Sequence, residues 1–172
     1  MSISKCLPLI ATNKKIRAKT RSDTGEENMK SMAVIGSAAF TGVMLTIGTG
    51  LVPFFFLTGP AAFERWFADY FVFLLSGVFL TSVPAFIGSI AMIRRTPKKS
   101  AERSPWVKTL VALAFVYGIT MVVHLPLNIL FWSMELSDSQ ITSNLWFWTA
   151  AHVLRIAGAL YASITALRAI DR

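Results

Sequence analysis

The sequence predicts an all-α, four-helix transmembrane bundle with both termini cytoplasmic, and three observations carry that prediction. The first is composition: of the 172 residues 54% are hydrophobic and only 15% charged, well to the apolar side of soluble globular usage. The second is length. Four stretches, Ala33 to Leu57, Tyr70 to Ile93, Thr109 to Ser133 and Asn144 to Leu167, are free of charge except for Arg155, and each is long enough to cross roughly 30 Å of hydrocarbon. Because lipid offers no partner to a backbone amide, and no period-2 alternation suggests a barrel, each stretch reads as a helix. The third is the distribution of charge. Of the 17 Lys and Arg, seven precede the first helix, six (Arg94, Arg95, Lys98, Lys99, Arg103 and Lys108) lie between or beside the second and third, and Arg168 and Arg172 follow the fourth. Only Arg65 falls in a connection on the other side, so the positive-inside rule puts both termini and the middle loop in the cytoplasm. The expected location is the inner, cytoplasmic membrane of a bacterium.

Residues 1–31 are expected to form a disordered basic tail ahead of a transmembrane domain over 32–170. Lys, Arg, Ser and Thr dominate this tail, and its short apolar patch is interrupted by Pro8, so neither a secretory signal nor a helix is expected there. Met29 offers an alternative start to translation. The lone Cys6 excludes an internal disulfide and any cysteine-based metal site. A net charge of +8 alternates with the predicted topology rather than forming one arm, which excludes nucleic acid and leaves the lipid bilayer as partner.

In the first helix Ala38 and Gly42, with Gly48 and Gly50 beyond, would let another helix approach closely, either within the bundle or in a second copy of the chain. Pro53, Pro84 and Pro126 predict kinks in the first three helices. In the third helix, helical spacing places Tyr117, Met121, His124 and Asn128 on one stripe. In the fourth it does the same for Asn144, Trp148, His152 and Arg155. A short acidic connection, Met134 to Ser143, makes these two helices antiparallel neighbours. Counted at about 1.5 Å per residue, His124 then falls level with His152, and Asn128 with Trp148.

Arg155 is the costliest of these residues, since a midplane arginine marks a polar interior. No Asp or Glu falls within the four predicted stretches, so its counter-charge is expected from something bound, with Tyr117 and carbonyls freed by the prolines as further partners. Interhelical hydrogen bonding is the plainer role open to His124 and Asn128. Trp132 and Trp146 read as interface residues. Two level histidines also suit bis-histidine haem b, whereas a metal site would need more ligands than these two.

The segment His124-Leu125-Pro126-Leu127-Asn128, followed by Trp148 and then His152-Val153-Leu154-Arg155, resembles the anthrone-oxygenase-like family of small four-helix membrane proteins. The resemblance covers about Ala33 to Ala169, and His124 stands where the commoner family pattern has Asn. It implies oxidation of an aromatic or phenolic small molecule by dioxygen without a cofactor. His152 or His124 would be the base, Arg155 the enolate stabiliser, Asn128 and Tyr117 substrate contacts, and Trp148 a stacking wall. A non-enzymatic membrane subunit or ligand-binding protein is the alternative. No phosphate-binding loop, serine nucleophile or paired carboxylate is present.

Overall fold

The computed structural model describes the backbone over residues 7–170 and the side chains over 24–170. Among these residues the chain is helical, without strands. It comprises α1 (Leu7–Thr46), a π turn (Ile47–Leu51), α2 (Val52–Thr58), α3 (Pro60–Arg95), α4 (Arg103–Ile119), a second π turn (Thr120–His124), α5 (Leu125–Ser133) and α6 (Asp138–Ile170). Joined across the π turns, they make four spans long and apolar enough to cross a membrane: Thr24–Thr58, Pro60–Arg95, Arg103–Ser133 and Asp138–Ile170. At 1.5 Å per residue a 36-residue helix is about 54 Å long, so the spans outreach a hydrocarbon core of about 30 Å. Large apolar side chains on their outward faces, among them Val72, Phe73, Leu80, Val122 and Val153, are exposed, as a lipid-facing surface requires.

The helices exceed the expected bounds for identifiable reasons. No breaker interrupts 9–46, and α1 continues back to Leu7, so residues 7–31 carry helical backbone where a disordered tail is expected from composition. Residues 1–6 and 171–172, Cys6 among them, lie outside the described residues. The second helix begins ten residues ahead of Tyr70. Gly59, at φ 80°, turns the chain in a single residue, and Pro60 opens α3 at a position where its missing N–H costs nothing. Glu64, Arg65 and Asp69 are therefore helical rather than in a loop. At the end of α5, Met134 adopts the left-handed conformation (φ 54°), leaving a connection of four residues before Asp138.

Of the glycines expected to admit a neighbouring helix, Gly48 does so, against α6, whereas Gly42 and Gly50 have nothing close to them. Ala38 is exposed and Gly42 has nothing within 4 Å of a would-be Cβ, so that pair faces outward. Instead a Cβ at Gly36 would lie 2.5 Å from the Ala85 nitrogen, and one at Gly88 would lie 2.4 Å from the Ala33 nitrogen, which locks α1 to α3. Gly158 serves the α4–α6 contact, where a Cβ would meet Val116 at 2.7 Å. Trp132 and Trp146 are exposed near the end opposite the basic residues, consistent with an interfacial setting.

Candidate functional site

Two prolines shape the site. Pro53 and Pro126 each stand two residues beyond the end of a π turn. Proline has no N–H to donate, and its ring crowds the carbonyl four residues back, Thr49 and Val122 here. The wider π turn relieves that crowding, with Val52 N–H donating to the Ile47 carbonyl and Leu125 N–H to that of Thr120. Pro84 produces no such turn and stays within one continuous α3.

The π turn in the third span also re-aims its side chains. One extra residue per turn breaks the 3.6-residue stripe, so Met121 is 51% exposed, while His124 at the end of the turn is 1% exposed. Met121 thus leaves the predicted stripe, and Asn128, one turn beyond His124, is buried with it.

On α6 the predicted stripe is intact, with Trp148, His152 and Arg155 buried and Asn144 half-buried. The Trp148 indole N–H donates to Oδ1 of Asn128 at 2.9 Å. Its ring stacks on His152 (centroids 5.1 Å apart, planes at 16°) and lies 4.8 Å from the His124 ring. The two histidine rings are 5.9 Å apart. The third and fourth spans therefore bring together Asn128 with Trp148, and His124 with His152, as the residue count requires.

The first span completes the cluster with groups that sequence reasoning missed. His152 Nε2 lies 3.0 Å from the Met44 carbonyl. A carbonyl can only accept, so Nε2 carries the proton and Nδ1 is left as a bare acceptor, without a partner. Gly48, inside the first π turn, makes this approach possible, since a Cβ there would lie 2.6 Å from Cδ1 of Ile156 and 3.7 Å from His152 Nε2. A main-chain carbonyl has no sequence signature, but a glycine in a helix three residues past the predicted midpoint of the span is a readable hint of close approach.

Arg155 is 5% exposed, and among the described residues its guanidinium has neither a hydrogen bond nor an ion pair. Its Cα–Cβ bond leans toward the α6 N-terminus and that of His124 leans toward the start of the third span, so the two side chains incline toward each other. The sequence offers Tyr117 as a partner for Arg155. Its hydroxyl, however, is paired with Ser82 Oγ at 2.5 Å, and its ring lies between Phe40 and Phe86. Tyr117 thus stands apart from the indole and imidazole rings. Neither ring nitrogen of His124 makes a hydrogen bond, although the Ile119 backbone lies alongside.

Of the eight buried side-chain atoms without a partner among the described residues, four belong to His124, His152 and Arg155. Native interiors leave few such atoms, so their concentration in one cluster singles it out. Glu64 contributes another, being 7% exposed with Oε1 unpartnered.

The arrangement does not fit haem b. Trp148 packs against both histidine rings where a porphyrin plane would have to lie, and His152 Nε2 is held by Met44. Among the described residues no group of three or more His, Cys, Asp or Glu is placed to hold a metal ion. The prominent cavities lie elsewhere: a groove of 580 Å³ between α1 and α3, and one of 80 Å³ lined by Phe55, Phe63 and Leu145. No family model, curated protein or solved structure matches the chain.

Proposed function

We propose that the chain is a multi-pass protein of a bacterial inner membrane, its termini and residues 96–102 cytoplasmic, that binds a planar aromatic anion at Arg155 and oxidises it with dioxygen. The single observation that carries this reading is the buried guanidinium without a counter-charge, one turn along α6 from His152, in a bundle whose two histidines also have ring nitrogens without partners. An uncompensated cation inside a bundle costs several kcal/mol, and an anionic ligand would offset that cost. The resemblance to anthrone oxygenases supplies the reaction class.

In that reaction a ring methylene loses a proton to His152 Nδ1, whose tautomer the Met44 carbonyl sets. Arg155 stabilises the enolate oxygen. The enolate carbon then passes an electron to dioxygen, the radical pair combines to a hydroperoxide, and loss of water leaves a carbonyl. One methylene and one O₂ give one C=O and one H₂O, and no further reductant is needed. Trp148 provides a stacking face. Asn128, whose oxygen is taken by Trp148, has its amide N–H₂ left to donate to the ligand.

The test is oxygen uptake and quinone absorbance with an anthrone as probe, using the purified full chain. Arg155→Met and His152→Gln are each expected to lower the rate by about 10²-fold or more, the usual worth of a general base or an oxyanion partner. Unchanged oxidation in Arg155→Met would overturn the proposal. Quenching of tryptophan fluorescence without oxygen uptake would instead favour a ligand-binding protein.

A further inference from the structure

The 580 Å³ groove runs beside the α1–α3 seam and is lined by Asn28, Met29, Ser31, Gly36 and Ala39 on one helix and by Thr81 with its apolar neighbours on the other. Its shape follows from the glycine lock: Gly36 and Gly88 draw the two backbones together, and longer side chains flank the seam. From Asn28 to Ala39 is eleven residues, about 16 Å, close to half of the roughly 30 Å hydrocarbon thickness. The groove is therefore one leaflet deep. Asn28 and Ser31 stand at its open end, and the deeper lining is apolar, since the Thr81 hydroxyl is already paired with the Gly77 carbonyl at 2.8 Å.

A guanidinium stands at that open end. Both terminal nitrogens of Arg95 lie 3.8 Å from a would-be Cβ of Gly25, one turn before Met29, so Arg95 reaches across α1 at the mouth. Nearby, Lys30 is neutralised by Glu26 at 2.8 Å, whereas Arg95 has no carboxylate partner among the described residues. The groove is long and narrow, 580 Å³ over about 16 Å, a shape that suits an extended hydrocarbon chain, and the charge at its mouth selects the headgroup.

We propose that the groove seats one acyl chain of an anionic phospholipid from the leaflet at the basic end, with its phosphate on Arg95. A guanidinium fork matches phosphate oxygens, and basic recesses between spanning helices are suited to such headgroups. Asn28 and Ser31 supply neutral donors beside it.

The full chain, purified in detergent, would be titrated with dioleoyl phosphatidylglycerol or dioleoyl phosphatidylcholine while native mass spectrometry counts the lipids retained. One phosphatidylglycerol should be held about tenfold more tightly than phosphatidylcholine. Arg95→Gln should abolish that preference. Arg94→Gln, which removes the same charge from the neighbouring exposed residue, should keep it. Ala39→Phe, filling the deep end at an exposed position, should weaken retention of both lipids without altering the size of the particle. Equal retention of the two lipids, or equal losses in the two arginine variants, would overturn the proposal. So would an Ala39→Phe variant that keeps its lipid but changes from dimer to monomer, since the groove would then belong to a second copy.

Discussion

The half of the bundle toward the basic residues and the half toward the Trp132 end are built on opposite rules. In the basic half the helices touch through small residues: Gly36 on Ala85, Gly88 on Ala33, and Gly158 on Val116, with Ala159, Ala162 and Ala166 buried between them. Several of its buried hydroxyls are paired, Thr109 with Thr165 at 2.9 Å and Thr41 with Ser163 at 2.8 Å, although Ser37 and Ser89 have no partner. The far half is packed with rings. Phe55 meets Phe63 at 4.7 Å, Phe63 meets Phe131 at 4.9 Å, and two π turns loosen the spans. The unpartnered atoms of His124, His152 and Arg155 lie where the two halves meet and on the ring-packed side. Between helices in lipid, association rests on close van der Waals packing, so the small-residue half acts as the clamp. The far half can then hold apart the groups that a ligand would need.

Breaking the clamp should produce the largest effect. A Cβ at Gly88 would lie within 2.6 Å of the Met29 carbonyl oxygen and 2.8 Å of the Ala33 Cα, all backbone, which cannot rotate away. Gly88→Leu is therefore expected to cost about 3 kcal/mol or more, read as loss of the folded species in a denaturation titration. Gly77→Ala, where nothing lies within 4 Å, is the matched control and should be neutral or slightly stabilising. Equal effects of the two would remove the distinction between the halves.

Arg155→Met tests the other half, and here the sign reverses. The guanidinium is buried without a partner, so an apolar side chain of similar length should stabilise the ligand-free bundle by about 1–4 kcal/mol while abolishing anion binding. Destabilisation by a similar amount would mean that the charge is already compensated within the fold.

Much of this asymmetry was legible in the residues, and the rest was not, for definite reasons. The four spans follow from apolar length, and the α6 stripe follows from helical period because α6 runs unbroken from Asp138 to Ile170. The histidine pairing was readable because one short connection fixes the register of its two helices. Met121 misled because a π turn adds a residue to the period, and nothing local distinguishes Pro126, which brings such a turn, from Pro84, which does not. Gly42 faces outward because a small-residue pair in one helix does not say which face its partners occupy, and within the bundle α3 packs on Gly36. Arg65 reads as part of a connection because the turn at Gly59 is only one residue long, which draws the stretch ahead of Tyr70 into α3.

Asn128→Leu is a smaller perturbation on the same ring-packed side. It removes the acceptor of the buried Trp148 indole N–H, and leaving that donor orphaned should cost about 1–3 kcal/mol. Tryptophan fluorescence reports it directly: the indole loses its anchor, and the emission should broaden or shift. An unchanged spectrum with unchanged stability would show that the hydrogen bond does not hold Trp148 in place.

The smallest effect separates paired from unpaired polarity in the clamp itself. Thr109 Oγ1 and Thr165 Oγ1 lie 2.9 Å apart, and each is also placed to donate within its own helix, to the Pro105 carbonyl at 3.0 Å and the Tyr161 carbonyl at 2.9 Å. Each hydroxyl has one proton, so at most one of the two can serve the interhelical bond at a time, and the other must accept. Thr165→Val removes one member with little change in shape. Interhelical hydrogen bonds in bundles of this kind are worth about 0.6 kcal/mol on average, and the surviving Thr109 hydroxyl retains its carbonyl, so a loss of about 0.5–1 kcal/mol is expected. The double variant Thr109→Val with Thr165→Val should cost less than the sum of the two single changes, because neither hydroxyl is then left behind. Strict additivity would mean that the two threonines hold their own helices and not each other, and that the clamp rests on its glycines and alanines alone.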